Sequence, residues 1–385
     1  MKRTALALTI ILALIILIVA GTKLVNVASA NFFPEPTPQG IRIESAGSVN
    51  GTDKIQRNGN VYILTGNIYE TIVILRDNII IDGAGFTLQG QGNFTGIFLQ
   101  DRINVTIKNM EIRNFHYGIK LTWKNLETGS RDNTIIGNKI TGNTVGILLN
   151  LFTKNNFVYE NSVTNNTYGI QIVHSPNSVL KNNGLANNQY NLWIDIQTAV
   201  PASEYVNDID NSNTVDDKPI YYWVDQHNKI VPSDAGYVAL VDCTGITVEN
   251  LNLKNNGQGV LLVSTNNSLI TKNYITNTGH GIALYGPYVS CAYNTVTKNV
   301  IVGSIEEGIY EWDGFSNNIY DNTITASPEV PSPSPSLSPT PSQEPTPSPE
   351  PQPEELFPTT IAVASIAILS VIGFGILVYF KKRRP

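Results

Sequence analysis

Between residues 60 and 326 short runs alternate apolar and polar positions with a period of two, and the runs recur. Gly96-Ile97-Phe98-Leu99, Gly118-Ile119-Lys120-Leu121, Gly146-Ile147-Leu148-Leu149 and Gly169-Ile170-Gln171-Ile172 share one pattern, with glycines 22, 28 and 23 residues apart. The pattern returns at Gly259-Val260-Leu261-Leu262 and Gly281-Ile282-Ala283-Leu284 and ends at Gly308-Ile309-Tyr310-Glu311. Asn191-Leu192-Trp193-Ile194 and Tyr237-Val238-Ala239-Leu240 fit the same phase with the glycine replaced. A second series runs in register with the first: Asn109, Asn138, Asn161, Asn183, Asn250, Asn273, Asn299 and Asn322 each stand between two short alternating runs. Period two means strands. Asn tolerates the left-handed backbone of a corner, and its amide can bond to the Asn of the coil above or below. One corner Asn per 22–23 residues predicts an all-β, single-stranded parallel β-helix (solenoid) with an Asn ladder. A leucine-rich repeat would need Leu-x-x-Leu-x-Leu signatures and helical segments, which are missing. At ~4.8 Å per coil, roughly eleven to twelve coils make a rod about 55 Å long.

Outside the repeats the composition changes. Met1-Lys2-Arg3, an apolar run over 4–21 and Ala28-Ser29-Ala30 have the order of a secretory signal, so 1–30 reads as a signal peptide. Its apolar core exceeds the usual ~7–15 residues, and an uncleaved anchor is the alternative. Residues 31–59 read as an N-terminal lead and cap, and 60–326 as the β-helix with an excursion at 197–235. Residues 327–358, with Ser332-Pro333-Ser334-Pro335 and Thr346-Pro347-Ser348-Pro349, cannot pack a core and read as a Pro/Ser/Thr-rich stalk. Thr359 to Phe380 is an uncharged stretch of 22 residues. It is long enough at ~1.5 Å per residue to cross a ~30 Å hydrocarbon core as a C-terminal transmembrane helix. Lys381-Lys382-Arg383-Arg384 follows at once and marks 381–385 as a cytoplasmic tail. The expectation is a single-pass protein of the cell membrane with its β-helix extracytoplasmic. All 31 acids of the 385-residue chain fall within 31–358, against 18 of its 25 Lys and Arg. So acidic a domain argues against nucleic acid as a partner. Two cysteines exclude a disulfide framework, and no Cys-x-x-Cys spacing is present.

Three stretches resemble a known family. Asn78-Ile79-Ile80-Ile81-Asp82-Gly83-Ala84-Gly85 is similar to its opening coil. Asn213-Thr214-Val215-Asp216-Asp217-Lys218-Pro219-Ile220-Tyr221-Tyr222-Trp223 resembles its mid-helix excursion, and Ala239 to Asn250 the resumption of coils. The chain resembles right-handed parallel β-helix proteins of the pectin-lyase-like superfamily. More narrowly it resembles the NosD family, named as periplasmic copper-binding β-helix proteins. The resemblance implies right-handed winding. It also implies copper as a cofactor by family name, and, from the superfamily, action on acidic polysaccharides. The order of signal, β-helix, stalk, span and basic stop resembles that of archaeal cell-surface proteins.

The residues themselves narrow these implications. Copper wants imidazole, thiolate or thioether groups that converge. His116, His174 and His280 fall on different coils with no stacked pair, Cys243 and Cys291 lie two coils apart, and with Met110 no ligand cluster emerges, so no metal site is assigned; His227, in the excursion, is left open to a distant partner. Cys243 reads as a small core residue and Cys291 as a loop residue. Glycoside hydrolysis needs two carboxylates about 5–9.5 Å apart. The outward rows of the motif strand run Phe98, Lys120, Leu148, Gln171, Trp193 and Gln100, Thr122, Asn150, Val173, Asp195, with one acid among them. Gly279-His280-Gly281 resembles a polygalacturonase fragment, but the Asp216-Asp217 pair lies far back in the sequence. Glu306, Glu307, Glu311 and Asp313 read as a polar end cap. No catalytic residue is assigned.

The same outward face suits binding. Lengthened loops at 122–132 and 286–293 and the excursion would stand as walls. Between them Lys120, Trp123, Asn150, Gln171, His174, Trp193 and Asp195 form the candidate ligand groove, suited to an extended glycan by its amides and aromatic faces. The partners expected are the membrane and a cell-surface polysaccharide or surface-layer protein. Asn50, Asn93, Asn104, Asn165 and Asn266 begin Asn-x-Ser/Thr sequons and are the glycosylation candidates.

Overall fold

The computed structural model describes residues 37–124, 128–196, 200–286 and 291–326. The signal sequence, stalk, span and tail expected from the sequence lie outside these residues. Among the described residues no helix is long and apolar enough to cross a membrane. They form a right-handed parallel β-solenoid of about eleven turns.

Each coil contributes three short strands to three sheets. Sheet one holds the Gly-Ile-x-Leu strands, from Ile72–Ile74 through Thr95–Gln100, Tyr117–Thr122, Val145–Leu149 and Tyr168–Ile172 to Tyr190–Ile194. Sheet two runs from Val61–Leu64 through Thr134–Ile136 to Asp208–Ile209, and sheet three begins at Thr87–Gln89. Register is kept from coil to coil. Ile119 pairs with Ile147, Ile147 with Ile170 and Ile170 with Leu192, all wholly buried. The β-branched residues suit the pleat, and each apolar row becomes a column of the core. The N-terminal end is closed by antiparallel pairs: Ile41–Ile43 with Val49–Asn50, and Ile55–Asn58 with Val61–Leu64.

Side-chain amides cap the stack at its corners. The Asn161 Oδ1 accepts from the Asn138 backbone N–H at 3.0 Å and from its Nδ2 at 3.1 Å, and Asn183 does the same for Asn161. The column ends on Asn213. A parallel column runs Asn143, Asn166, Asn188, and another runs Asn273, Asn299, Asn322. Asn109 and Asn250 stand one residue early. Both are exposed with φ near 55°, and Met110 and Leu251 occupy the column position, donating to Asn138 and Asn273. The corner therefore divides two tasks that the sequence reading gave to one Asn. The preceding residue turns the backbone left-handed, as at Gly137, Glu160, Asn182 and Lys272, and the next one delivers the inward amide.

The stretch 197–235 does more than leave the stack. Asp208–Ile209 and Thr214–Val215 complete a coil in sheets two and three. Thr214–Val215 then pairs antiparallel with Lys218–Val224, which pairs parallel with Tyr237–Val241. In consequence the later motif strands, Tyr237–Val241, Gln258–Val263, His280–Tyr285 and Ile309–Trp312, extend sheet three and not sheet one. The outward rows that begin at Phe98 and Gln100 therefore do not continue into these later motif strands. Val238, Leu240, Val260 and Leu262 face a second core, while Tyr237, Ala239, Val241 and Leu261 pack into the first. These strands are a wall between two cores.

Replacing Asn161 by Ala strands the Asn138 backbone N–H, takes one of three acceptors from the Asn138 Nδ2, and removes donors to the carbonyls of Ile135 and Tyr159 and to Asn183 Oδ1. Unsatisfied buried groups cost ~1–3 kcal/mol each. Asn161→Ala should therefore lose at least ~3 kcal/mol in urea unfolding, while the exposed Asn109→Ala stays within about 1 kcal/mol of the parent. Similar losses for the two would contradict the ladder.

Candidate functional site

The candidate groove residues do not form an open groove. Lys120, Trp123, His174 and Trp193 are buried, and Asn150, Gln171 and Asp195 are half-buried. Their register is as read, with Lys120, Leu148, Gln171 and Trp193 in one row. What differs is access. Lys120 Nζ lies 4.1 Å from the centre of the Tyr117 ring, and the Trp123 ring meets Phe152 edge-on at 5.0 Å. Asn150 Nδ2 donates to Thr122 Oγ1. Trp193 packs between the rings of Tyr168 and Tyr190, at 5.2 and 5.4 Å, and under the later coils. A Cβ at Gly279 would stand 2.5 Å from its indole, so this glycine is needed for the close approach.

Where the two cores meet, a polar cluster is shut in among aromatic rings. His174 follows strand Tyr168–Ile172 in a left-handed conformation, φ 43°. Asp195 follows the next strand of the same sheet, and its Oδ1 lies 3.9 Å from His174 Nε2. The short 3-10 turn Ala202–Tyr205 brings Tyr205 to 5.8 Å from the His174 ring. Tyr285 stands 5.6 Å beyond Tyr205, and Trp312 6.0 Å beyond Tyr285. Tyr222 fixes the turn by donating its hydroxyl to the Tyr205 carbonyl. Neither ring nitrogen of His174 has a hydrogen-bond partner. Burial lowers its pKa to about 4, so the imidazole is neutral at neutral pH. Burial, reinforced by Tyr285, raises the Tyr205 hydroxyl far above its ordinary value. The cluster thus sets a neutral imidazole and a protonated phenol beside an Asp195 side chain that is 18% exposed, with no hydrogen bond made by the imidazole. Sequence reading picked out His174 and Asp195 but missed Tyr205 and Tyr285, which come from the excursion and from a different sheet.

Further along the same junction His280 Nε2 meets Glu306 Oε2 at 2.5 Å, and Tyr310 stacks on the imidazole at 4.7 Å. Burial, then the Glu306 charge, raises the Tyr168 hydroxyl pKa. His280 is therefore held at the junction by Glu306 and Tyr310, and Asp216 is engaged elsewhere by Asn255 and Lys254.

An open concavity of about 530 Å³ lies at the corner between sheets three and one. Thr144, Thr167 and Gln189 repeat along one wall, and Asn165 and Asn187 mark the corner. Tyr168 and Tyr190 follow Thr167 and Gln189 directly in the chain, and Tyr168 is half-buried. Of the sequon residues, Asn50, Asn93, Asn104 and Asn165 are exposed. Asn266 is half-buried and accepts from the Ala292 N–H at 2.8 Å.

The possible copper donors stay apart. Among the described residues no three His, Cys, Asp or Glu side chains group as metal ligands. His116 and His227 are exposed, and His227 pairs with Asp225 at 3.2 Å. Cys243 and Cys291 are free thiols and wholly buried, and Cys291 lies in strand Cys291–Ala292 and not in a loop. Burial raises both thiols, Cys291 to about 12, away from the thiolate that a metal needs. Met110 is buried in the core. These residues do not fit a copper site.

Residues 87–216 match the family described as right handed beta helix region, and residues 224–330 match that described as periplasmic copper-binding protein (NosD). Both agree with the resemblance read from the repeats. No curated protein matches the chain in sequence. Among solved structures, PfbA, a surface adhesin of Streptococcus pneumoniae, is 13% identical with a TM-score of 0.30, over 67% of this chain and 63% of its own. This chain thus spans less than two thirds of the adhesin. An alginate lyase from Paenibacillus sp. str. FPU-7 is 12% identical, TM-score 0.29, covering 70% of this chain and 92% of its own. The periplasmic alginate epimerase AlgG, as a T265N mutant, is 13% identical, TM-score 0.35, covering 70% and 79%. No function is transferred from likenesses of this level.

The buried imidazole sets a pH dependence. Unfolded, His174 takes up a proton as pH falls below about 6.5, whereas folded it resists protonation until about 4. Stability is therefore lost between those values and levels off below them. Between pH 7 and pH 4 the His174→Gln variant should lose roughly 3 kcal/mol less than the parent, read by urea titration at each pH. Equal losses would mean that water reaches the ring.

Proposed function

We propose that this chain is a membrane-anchored cell-surface protein whose extracytoplasmic β-helix binds an extended glycan at the corner between sheets three and one. The observation that carries the reading is the repeat of Thr144, Thr167 and Gln189 at one register on successive coils, beside the half-buried Tyr168. Hydroxyl and amide groups recur there every ~4.8 Å, so a polymer with its own repeat can be met several times by equivalent groups. Tyr168 offers a ring for sugar stacking at the edge of the row. The signal-like start, Pro-rich stretch, apolar segment and basic stop support display outside the cell. Asn165 lines the concavity, so a glycan attached to that sequon would exclude a glycan bound in it.

Full-length protein in detergent should bind a subset of surface polysaccharides on a glycan array. Thr167→Arg, which fills the concavity from a half-buried position, should weaken binding at least about tenfold with the circular dichroism unchanged. Silence across the array, or indifference to Thr167→Arg, would sink the reading.

A further inference from the structure

The last coil ends in an open core. Ile319 continues the column Val248, Ile270, Val296, and Ile324 continues the column Leu253, Ile275, Ile301. The six inner residues are wholly buried, whereas Ile319 is 37% and Ile324 52% exposed. Among the described residues no strand pairs with the outer edges of Ile309–Trp312, Asn318–Tyr320 and Thr323–Thr325. Asn322 caps Asn299 above it, and among the described residues no further Asn stands below to cap Asn322 in turn. The opening is also acidic. Residues 303–326 hold five carboxylates and no Lys or Arg. Glu311 lies at the core mouth, in the column that holds Leu240, Leu262 and Leu284 in the coils above, and accepts from Asn317 Nδ2 at 2.7 Å. The residues expected as a polar cap are thus a bare final coil with a carboxylate at its centre.

We infer that this end is a docking surface for a cationic β-strand segment of a second protein. An unpaired sheet edge with apolar positions beneath it recruits a strand by backbone hydrogen bonds, and rim charge chooses which strand. Three other occupants fit less well. Pro328, Pro331, Pro333 and Pro335 of the following sequence lack the amide that coil pairing needs. Head-to-tail stacking of copies meets the antiparallel strands that close the N-terminal end. Tail-to-tail stacking would set Glu307, Glu311, Asp313 and Asp321 against their own duplicates across an apolar contact, a repulsion that costs affinity. A strand bearing Lys or Arg meets apolar side chains beneath it and carboxylates around it.

Hydrogen–deuterium exchange on the full-length protein in detergent tests this with two synthetic peptides, one alternating Lys and Val and one alternating Glu and Val. The Lys/Val peptide should slow exchange over 309–325 at least about tenfold, and added salt should reverse the protection. Glu307→Gln, Asp313→Asn and Asp321→Asn together should weaken it about tenfold. Ile324→Asn, at a side chain already half exposed, should abolish it without altering exchange in the inner coils. Four results would each overturn the proposal: no protection by the Lys/Val peptide; equal protection by the Glu/Val peptide; a peptide-free dimer that Ile324→Asn dissolves; or amides of 318–325 already as slow in the free monomer as those of the inner coils.

Discussion

Every coil leaves peptide groups that only the next coil can satisfy, and the rest of the structure follows from that dependence. Asn138 shows the closed form, with its backbone N–H and Nδ2 both taken by Asn161 Oδ1. Because the amide that satisfies one coil belongs to the next, register cannot slip locally without stranding buried donors. The isoleucine columns are held in line by this constraint as much as by their own packing. Hydrophobic burial supplies the larger share of stability, and the amide columns select which stack receives it.

Much of the fold was legible because both signals repeat. The alternation of Ile119, Ile147 and Ile170 gave strands, and the interval gave the coil. The Asn series gave the corner, but not the division of work within it. Asn109 and Asn250 fooled the reading because Asn is equally suited to the left-handed position and to the amide position beside it. The change of sheet after Val215 left no mark in the motif, since Gly259-Val260-Leu261-Leu262 has the same alternation whichever sheet receives it. An antiparallel pairing of two residues, Thr214 with Pro219 and Val215 with Lys218, decided it. The candidate site was legible in part for the same reason. Periodicity placed His174 and Asp195 on adjoining coils, but Tyr205 and Tyr285 arrive by a non-repeating route.

The shift of sheet accounts for the character of the junction. Strands Tyr237–Val241, Gln258–Val263 and His280–Tyr285 are buried on both faces, so neighbouring polar side chains are desolvated along with the apolar ones. His174 is held neutral there, and His280 is held against Glu306. The open corner of the first segment is the opposite case. Its hydroxyls and amides point to water on one side of a rigid stack, which suits repeated weak contacts with a polymer better than a single tight pocket does.

The wall shared by the two cores also imposes an order of assembly. Amide partners within each segment are only 22 to 33 residues apart in the chain, so a coil can zip onto its predecessor as soon as it is made. Lys218–Val224 has no such template, because it runs antiparallel to the strand it follows. It joins the third sheet through two residue pairs, Thr214 with Pro219 and Val215 with Lys218, and Tyr237–Val241 then pairs with it. A ribosome delivering the N-terminal half first therefore hands the later half a ready-made seed, whereas a chain cut after Val215 and supplied in two pieces would leave Lys218–Val224 without the edge it pairs with.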